Sequence, residues 1–270
     1  MNFKNTVFFS GMAVLLSFLI LNSVTYHSSF AATEYEHKTK WGTKGVAIGQ
    51  FNQVGGITAD SENNIYVADF TGRSNMIQKF TGNGSFILGF GVLGNGPQFF
   101  TNPSGLAADS ENNIYIADFG NPTYAIKKFS KDGNFIDTFG SFGLGDGEFI
   151  TPGGLGVDKE NNVYATDFGE NNNVQKFDQN GNFLMKFGTP GTGGGQFNNP
   201  FELAIDSSDN IFVVDNNNNR VQIFNNNGEY ISQFGNQGPA SDRLQDPITI
   251  AIDASDNVYV GDGKDTDIHV

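Results

Sequence analysis

Carboxylates are the commonest groups in this chain that could do chemistry, and they come in step. Asp69, Asp118, Asp167, Asp215 and Asp262 recur every 47 to 49 residues. Each lies nine residues after another aspartate: Asp60, Asp109, Asp158, Asp206 or Asp253. Five carboxylates in a ring are the ligand type of a hard cation such as calcium. The plainer reading is that each Asp opens a loop and accepts hydrogen bonds from nearby backbone N–H groups. Every unit carries one, so the structural reading of the Asp ring is preferred. A ligand site breaks symmetry, so the residues out of step are the binding candidates; their plainer readings are rings tucked against the neighbouring blade, cations balancing the Asp ring, and an exposed strand start. Phe70, Phe119 and Phe168 follow the loop-opening Asp in three consecutive units, whereas Asn216 and Gly263 follow it in the next two. Arg73 and Arg220 are cations of the same loops, with Tyr124 between them in chain order. Glu202 stands where Gly56, Gly105 and Gly154 stand in the earlier units, and Thr249 in the last.

What is missing narrows the chemistry further. The 270 residues contain no cysteine and three histidines. There is thus no disulfide framework, thiolate nucleophile or zinc knuckle. His37 and His269 are the histidines beyond residue 32, so one chain cannot assemble a three-His metal site there. No nucleophile–base pair stands out. No catalytic residue is assigned, and no cofactor is expected, although Asp and Asn abound and are compatible with calcium. A net charge of −14 argues against nucleic acid and against an anionic membrane surface.

The elements that must position these residues follow from the repeat. Each period of about 48 residues holds four strand candidates. In the third unit they are 155–158, 162–167, 174–177 and 183–187, labelled a to d. Asn-Gly and Asp-Gly turns join c to d, where Gly supplies positive φ. Strand alternation puts Tyr66, Tyr115, Tyr164, Phe212 and Tyr259 on one face of strand b. Phe at the ends of strands c and d recurs as filling between units. Thr58, Ala107, Gly156, Ala204 and Ala251 keep strand a small where units converge. The class is all-β: a β-propeller of four-stranded antiparallel blades.

Each unit reads as G-x-G-x-F-x-x-P-x-G-[IL]-A-x-D-x-x-x-N-[IV]-Y-V-x-D, then [IV]-Q-K-F and G-x-F-[IL]-x-x-F-G. This resembles the NHL-repeat family of β-propellers, over roughly residues 36–270. Val54 departs from the Pro seen at 103, 152, 200 and 247. The resemblance implies a ring of six blades. This chain holds four complete units, a strand d at residues 36–41, and a fifth unit ending in strand c. Two readings stand: a five-bladed ring closed by residues 36–41, or part of a larger ring.

Residues 1–32 read as a secretory signal peptide: Lys4, an apolar run from Val7 to Val24, and small residues Ser29 and Ala31 before the cleavage point. An uncleaved anchor is the alternative. Residues 33–270 are then the propeller, outside the cytoplasm, at the cell surface or secreted. The expected role is a non-enzymatic scaffold binding protein, peptide or glycan on its rim. The alternative, implied by related propellers, is a calcium-dependent lactonase-like or lyase-like enzyme. A ubiquitin-ligase-like substrate reader, known among intracellular relatives, is disfavoured by the signal peptide and the lack of cysteine.

Overall fold

The computed structural model describes residues 40–70, 74–120, 124–239, 243–264 and 268–270. The proposed signal peptide and most of the strand expected at 36–41 lie outside the described residues, as does Arg73. Among the described residues the chain forms four four-stranded antiparallel sheets and one three-stranded sheet, each with strands in simple sequential order, besides three two-stranded pairs. Blade one is Val54–Ala59, Ile65–Asp69, Ser74–Phe80 and Phe86–Val92. Blade two is Pro103–Ala108, Ile114–Asp118, Ala125–Phe129 and Phe135–Phe139. Blade three is Pro152–Val157, Val163–Asp167, Asn173–Phe177 and Phe183–Phe187. Blade four is Pro200–Ile205, Ile211–Asp215, Arg220–Phe224 and Tyr230–Phe234. The fifth sheet is Pro247–Ile252, Val258–Asp262 and Ile268–His269. Among the described residues Ile268–His269 pairs only with Val258–Asp262.

Strand a differs from its sequence expectation. In blade three it begins at Pro152 rather than Leu155, with a register shift between those residues. Pro is tolerated as the first residue of a strand, and the bulge behind it bends the chain into line. A second feature is absent from the sequence reading. Ser141–Phe142 pairs in parallel with Glu148–Phe149, and Thr189–Pro190 with Gln196–Phe197. These short pairs lie on the d-to-a connections and include Phe149 and Phe197, both fully buried in the core.

The hydrophobic core lies between blades. One cluster joins Tyr66, Ile77 and Phe90 of blade one to Leu106, Ile114 and Phe129 of blade two. The Phe ending strand c is its hub. Phe129 sits 5.0 Å from Phe90, 5.5 Å from Phe100 and 5.6 Å from Phe135, centroid to centroid. Phe177 repeats this with Phe139 and Phe149, and Phe224 with Phe187 and Phe197. Trp41 takes the same place on Phe80 at 4.4 Å, the contact expected of the residue that would end a preceding strand d. Aromatic pairs at these separations add about 0.5–1.5 kcal/mol each beyond their burial.

Polar clasps tie the a–b turns together. Asp158 accepts from the N–H groups of Glu160 and Asn162, from Asn162 Nδ2 and from the Tyr164 hydroxyl. Lys176 lies 3.4 Å from Asp158 and over the Tyr164 ring at 4.9 Å. Blades one and two repeat this with Asp60–Tyr66–Lys79 and Asp109–Tyr115–Lys128. Burial and the adjacent carboxylate push the Tyr66, Tyr115 and Tyr164 hydroxyls well above their ordinary pKa. The turn then reaches the next blade: Ser61 N–H donates to Asn112 Oδ1, and Ser110 N–H to Asn161 Oδ1. Asn112 and Asn161 hold φ near 64°, a left-handed conformation that Asn tolerates.

Candidate functional site

The second aspartate of each unit sits where strand b ends, and its carboxylate is engaged within the fold. Asp69 accepts from the N–H groups of Asn52 and Gln53, Asp118 from Thr101 and Asn102, and Asp167 from Ile150 and Thr151. Asp215 accepts from Asn198 N–H, and Asp262 from Gln245 and Asp246 N–H. Each aspartate thereby fastens the connection leading into its own blade. Burial pushes the Asp118 and Asp167 pKa up, against the pull of Lys127 on the first and of Asn171 and backbone N–H groups on the second. Among the described residues no group of three or more His, Cys, Asp or Glu is placed to hold a metal ion.

Arg220 lies deep in the fold rather than at the rim. It is 2% exposed, and its Nε lies 2.7 Å from Asp215 Oδ2. Its remaining nitrogens donate to Gln233 Oε1, Gly193 O and Gln196 O, each at 2.7–2.8 Å. A guanidinium held this way is not available to a ligand, because loop carbonyls and Asp215 already take its donors. Tyr124 packs against Phe142 at 4.7 Å, on the connection between blades two and three. The Asn-rich loops act as ties: Asn216 Nδ2 donates to Asp246 Oδ1, and Asn218 Nδ2 to Gly191 O and Asp215 Oδ2.

One position of strand c shows a role that sequence reasoning missed. Gln78, Gln175 and Gln222 each accept from a loop N–H and donate to a loop carbonyl, clamping the connection before the blade. Lys127 occupies this position in blade two, fully buried and 2.8 Å from Asp118. Its signal was a Lys in a column of Gln. His269 occupies the same register, opposite Val260, and its Nε2 is buried without a hydrogen-bond partner among the described residues. A buried unsatisfied nitrogen costs about 1–3 kcal/mol. His269→Gln is therefore expected to raise stability by about 1 kcal/mol in urea denaturation. A lower midpoint for the variant would show that the imidazole is better satisfied than the clamp.

Three of the sequence candidates come together. Phe70, Phe119 and Phe168 stand on neighbouring blades, half-buried, with centroids 5.4 Å and 6.4 Å apart. The row extends to Phe201, 5.5 Å from Phe168 and 37% exposed. Phe201 comes from strand a of blade four, not from a loop, so the loop pattern did not reveal it. Four rings on four blades thus form an arc at one end of the propeller.

Glu202 follows Phe201 and lies against the inner face of blade three. Successive strands a pack side by side here, backbone to backbone. A Cβ on Gly105 would meet Gly153 O at 2.3 Å, and one on Gly56 would meet Ser104 O at 2.3 Å. Glu202 carries a side chain where those blades admit none. Its Oε1 would lie 2.6 Å from a Cβ on Gly154, while Phe168 rests on the adjoining Gly153. The surrounding protein pushes the Glu202 pKa up to about 7, against hydrogen bonds from Leu203 and Leu155 N–H. Glu202 as a residue is half-buried.

The NHL repeat family matches residues 100–129, and a family described as a 6-bladed beta-propeller matches residues 206–268. No curated protein matches the chain. Among solved structures, virginiamycin B lyase from Staphylococcus aureus aligns with a TM-score of 0.57 at 17% identity, over 77% of this chain and 62% of that one. A gluconolactonase from Xanthomonas campestris aligns with a TM-score of 0.59 at 13% identity, over 80% of this chain and 71% of that one. A protein of unknown function from Bacteroides caccae aligns with a TM-score of 0.57 at 14% identity, over 85% and 74%. The chain spans 61–62% of the length of the lyase structures. Identities this low speak to fold, which is shared by proteins of differing activity. With one set of contacts repeated from blade to blade and an NHL-repeat match at residues 100–129, the chain is a β-propeller that carries an NHL repeat.

Proposed function

We propose that this propeller is a non-enzymatic binding scaffold that acts outside the cytoplasm and holds its ligand on the Phe70–Phe119–Phe168–Phe201 arc. The observation that carries the reading is the arc itself. Partly exposed aromatic rings in mutual contact across four blades are more than one blade needs for its own packing, and such clusters anchor ligands. The apolar run of residues 7–24 supports export. The ligand is a protein, peptide or glycan, and no nucleic acid or membrane partner is proposed beyond an N-terminal anchor if the leader is retained.

The test is an array of peptides and glycans probed with the wild type and with Phe119→Ala/Phe168→Ala. Wild-type signals are expected to fall at least about tenfold in the variant, the scale of losing an aromatic anchor. Ile136→Ala, on the exposed strand d of blade two, is expected to leave them unchanged. Equal signals from wild type and arc variant would refute the reading.

A second reading rests on Glu202, the acid out of step with the repeat. It is a calcium-dependent, lactonase-like or lyase-like enzyme, of the kind the aligned gluconolactonase and lyase suggest by fold. Calcium titration by calorimetry, followed by lactone hydrolysis assays with wild type and Glu202→Gln, separates it from the first. Turnover that requires both calcium and Glu202 would favour the enzyme.

A further inference from the structure

The arc and Glu202 together specify a ligand chemistry. We propose that this site takes the guanidinium side chain of a basic peptide, laid against the Phe70–Phe119–Phe168–Phe201 rings and reaching the Glu202 carboxylate. The inference rests on the binding reading above and names its ligand.

Three observations carry it. First, phenylalanine rings offer no hydrogen bonds, only apolar surface and a negative face. Those faces favour a weakly hydrated organic cation, guanidinium above all, over a strongly hydrated metal ion. Second, hydroxyls near the arc are already spent. Thr166 Oγ1 donates to Phe201 O at 2.7 Å and accepts from Gly154 N–H at 2.8 Å. Ser104 Oγ donates towards Pro152 O at 3.2 Å and Ala117 O at 3.3 Å. A sugar stacked here would find few partners for its own hydroxyls. Third, the field is negative. Among the described residues Glu202 has no ion pair. The titratable groups on the strands packed around it, or directly next to them, are Asp158, Asp167, Asp206, Asp215, Asp246 and Asp253. Of these, Asp215 is balanced by Arg220 and Asp158 by Lys176. Asp246 Oδ1 accepts from Asn216 Nδ2 at 2.7 Å and stays uncompensated. The net charge of −14 adds long-range attraction for a basic partner.

The experiment uses two end-blocked peptides that differ at one residue, arginine or norleucine. Binding to the purified protein is measured by calorimetry at about pH 8 and about pH 5.5, values that bracket the titration of a carboxyl near 7. The arginine peptide is expected to bind at least about tenfold more tightly than the norleucine peptide at the higher pH, the scale of a partly desolvated cation–π and ion-pair contact. It is expected to weaken about tenfold at the lower pH, where Glu202 is protonated. Glu202→Gln is expected to bring arginine binding down to the norleucine level at both values. Phe119→Leu/Phe168→Leu keeps apolar bulk, removes the ring faces, and is expected to lose the arginine preference while staying folded. Equal affinity for the two peptides, lost in the arc variant, would overturn the cation and leave the arc as a binding site. Failure of both peptides to bind would also overturn it, and the array result above would then decide the fate of the arc separately.

Discussion

Asp158→Ala is expected to cost about 3–5 kcal/mol of stability, the range for stripping a buried ion pair of one partner. Asp158 gathers three turn hydrogen bonds, the Tyr164 hydroxyl and the Lys176 ammonium into one buried place. Its removal unties the a–b turn and leaves Lys176 with a single remaining hydrogen bond, to Asn226 O of the next blade. The comparison is Asp253→Ala. Asp253 holds the same turn through Ser255 N–H, Asn257 N–H, Asn257 Nδ2 and the Tyr259 hydroxyl. Val270 stands where the clasp would have its Lys, and the site is more open. Its loss is expected to cost about 1–2 kcal/mol, a few hydrogen bonds' worth. Urea denaturation of both variants checks the ratio. Equal losses would mean that the buried lysine contributes nothing and that the turn bonds account for the whole effect. Asp158→Ala combined with Lys176→Met is expected to recover part of the loss, because no uncompensated charge then remains.

The fold was legible because a propeller writes its contacts once per blade. The Phe ending strand c and the Asp opening each loop stand at fixed spacing because each meets the same neighbours every time. Trp41 could be matched to Phe90 of the next unit by counting alone, and its contact with Phe80 follows from that match. The short parallel pairs could not be read that way, since two-residue strands carry no alternation. The site was legible in part for a related reason. Phe70, Phe119 and Phe168 interrupt the repeat at one column and so draw notice. Phe201 belongs to a different strand and joins them only in three dimensions. Arg220 misleads in the opposite direction. A cation beside an Asn-rich loop looks solvent-facing, yet its position at the start of strand c turns the side chain inward onto Asp215. Sequence gives the column, but the face depends on the pleat and on the bulges that reset it.

Glu202→Gln is expected to stabilise the protein at pH 8 and to leave it unchanged near pH 4.5. The folded-state pKa stands at about 7, above the ordinary 4.5, because burial penalises the ionised form. A carboxyl raised in this way favours the fold while it is protonated. That advantage is full below about pH 4.5 and is lost as the pH rises to about 7. The whole shift corresponds to about 3 kcal/mol, and because the residue is only half-buried the expected gain for the amide is about 2 kcal/mol. Gln keeps the shape of the side chain and removes its charge, so the difference between variant and wild type isolates Glu202. Asp118 and Asp167, whose pKa values are raised as well, tilt both stability curves alike and cancel. Midpoints measured at several pH values check the result. A difference that stays constant with pH would show that the carboxyl is well solvated and carries no such cost. The same measurement bears on why an acid stands there at all. Under the proposal above, a side chain that weakens the fold at neutral pH, in a column otherwise kept at glycine or threonine, would be accounted for by what it binds rather than by what it packs against. An arginine peptide bound at the arc would hold Glu202 ionised, and at pH 8 it should return to the wild type the stability that the amide variant has without it.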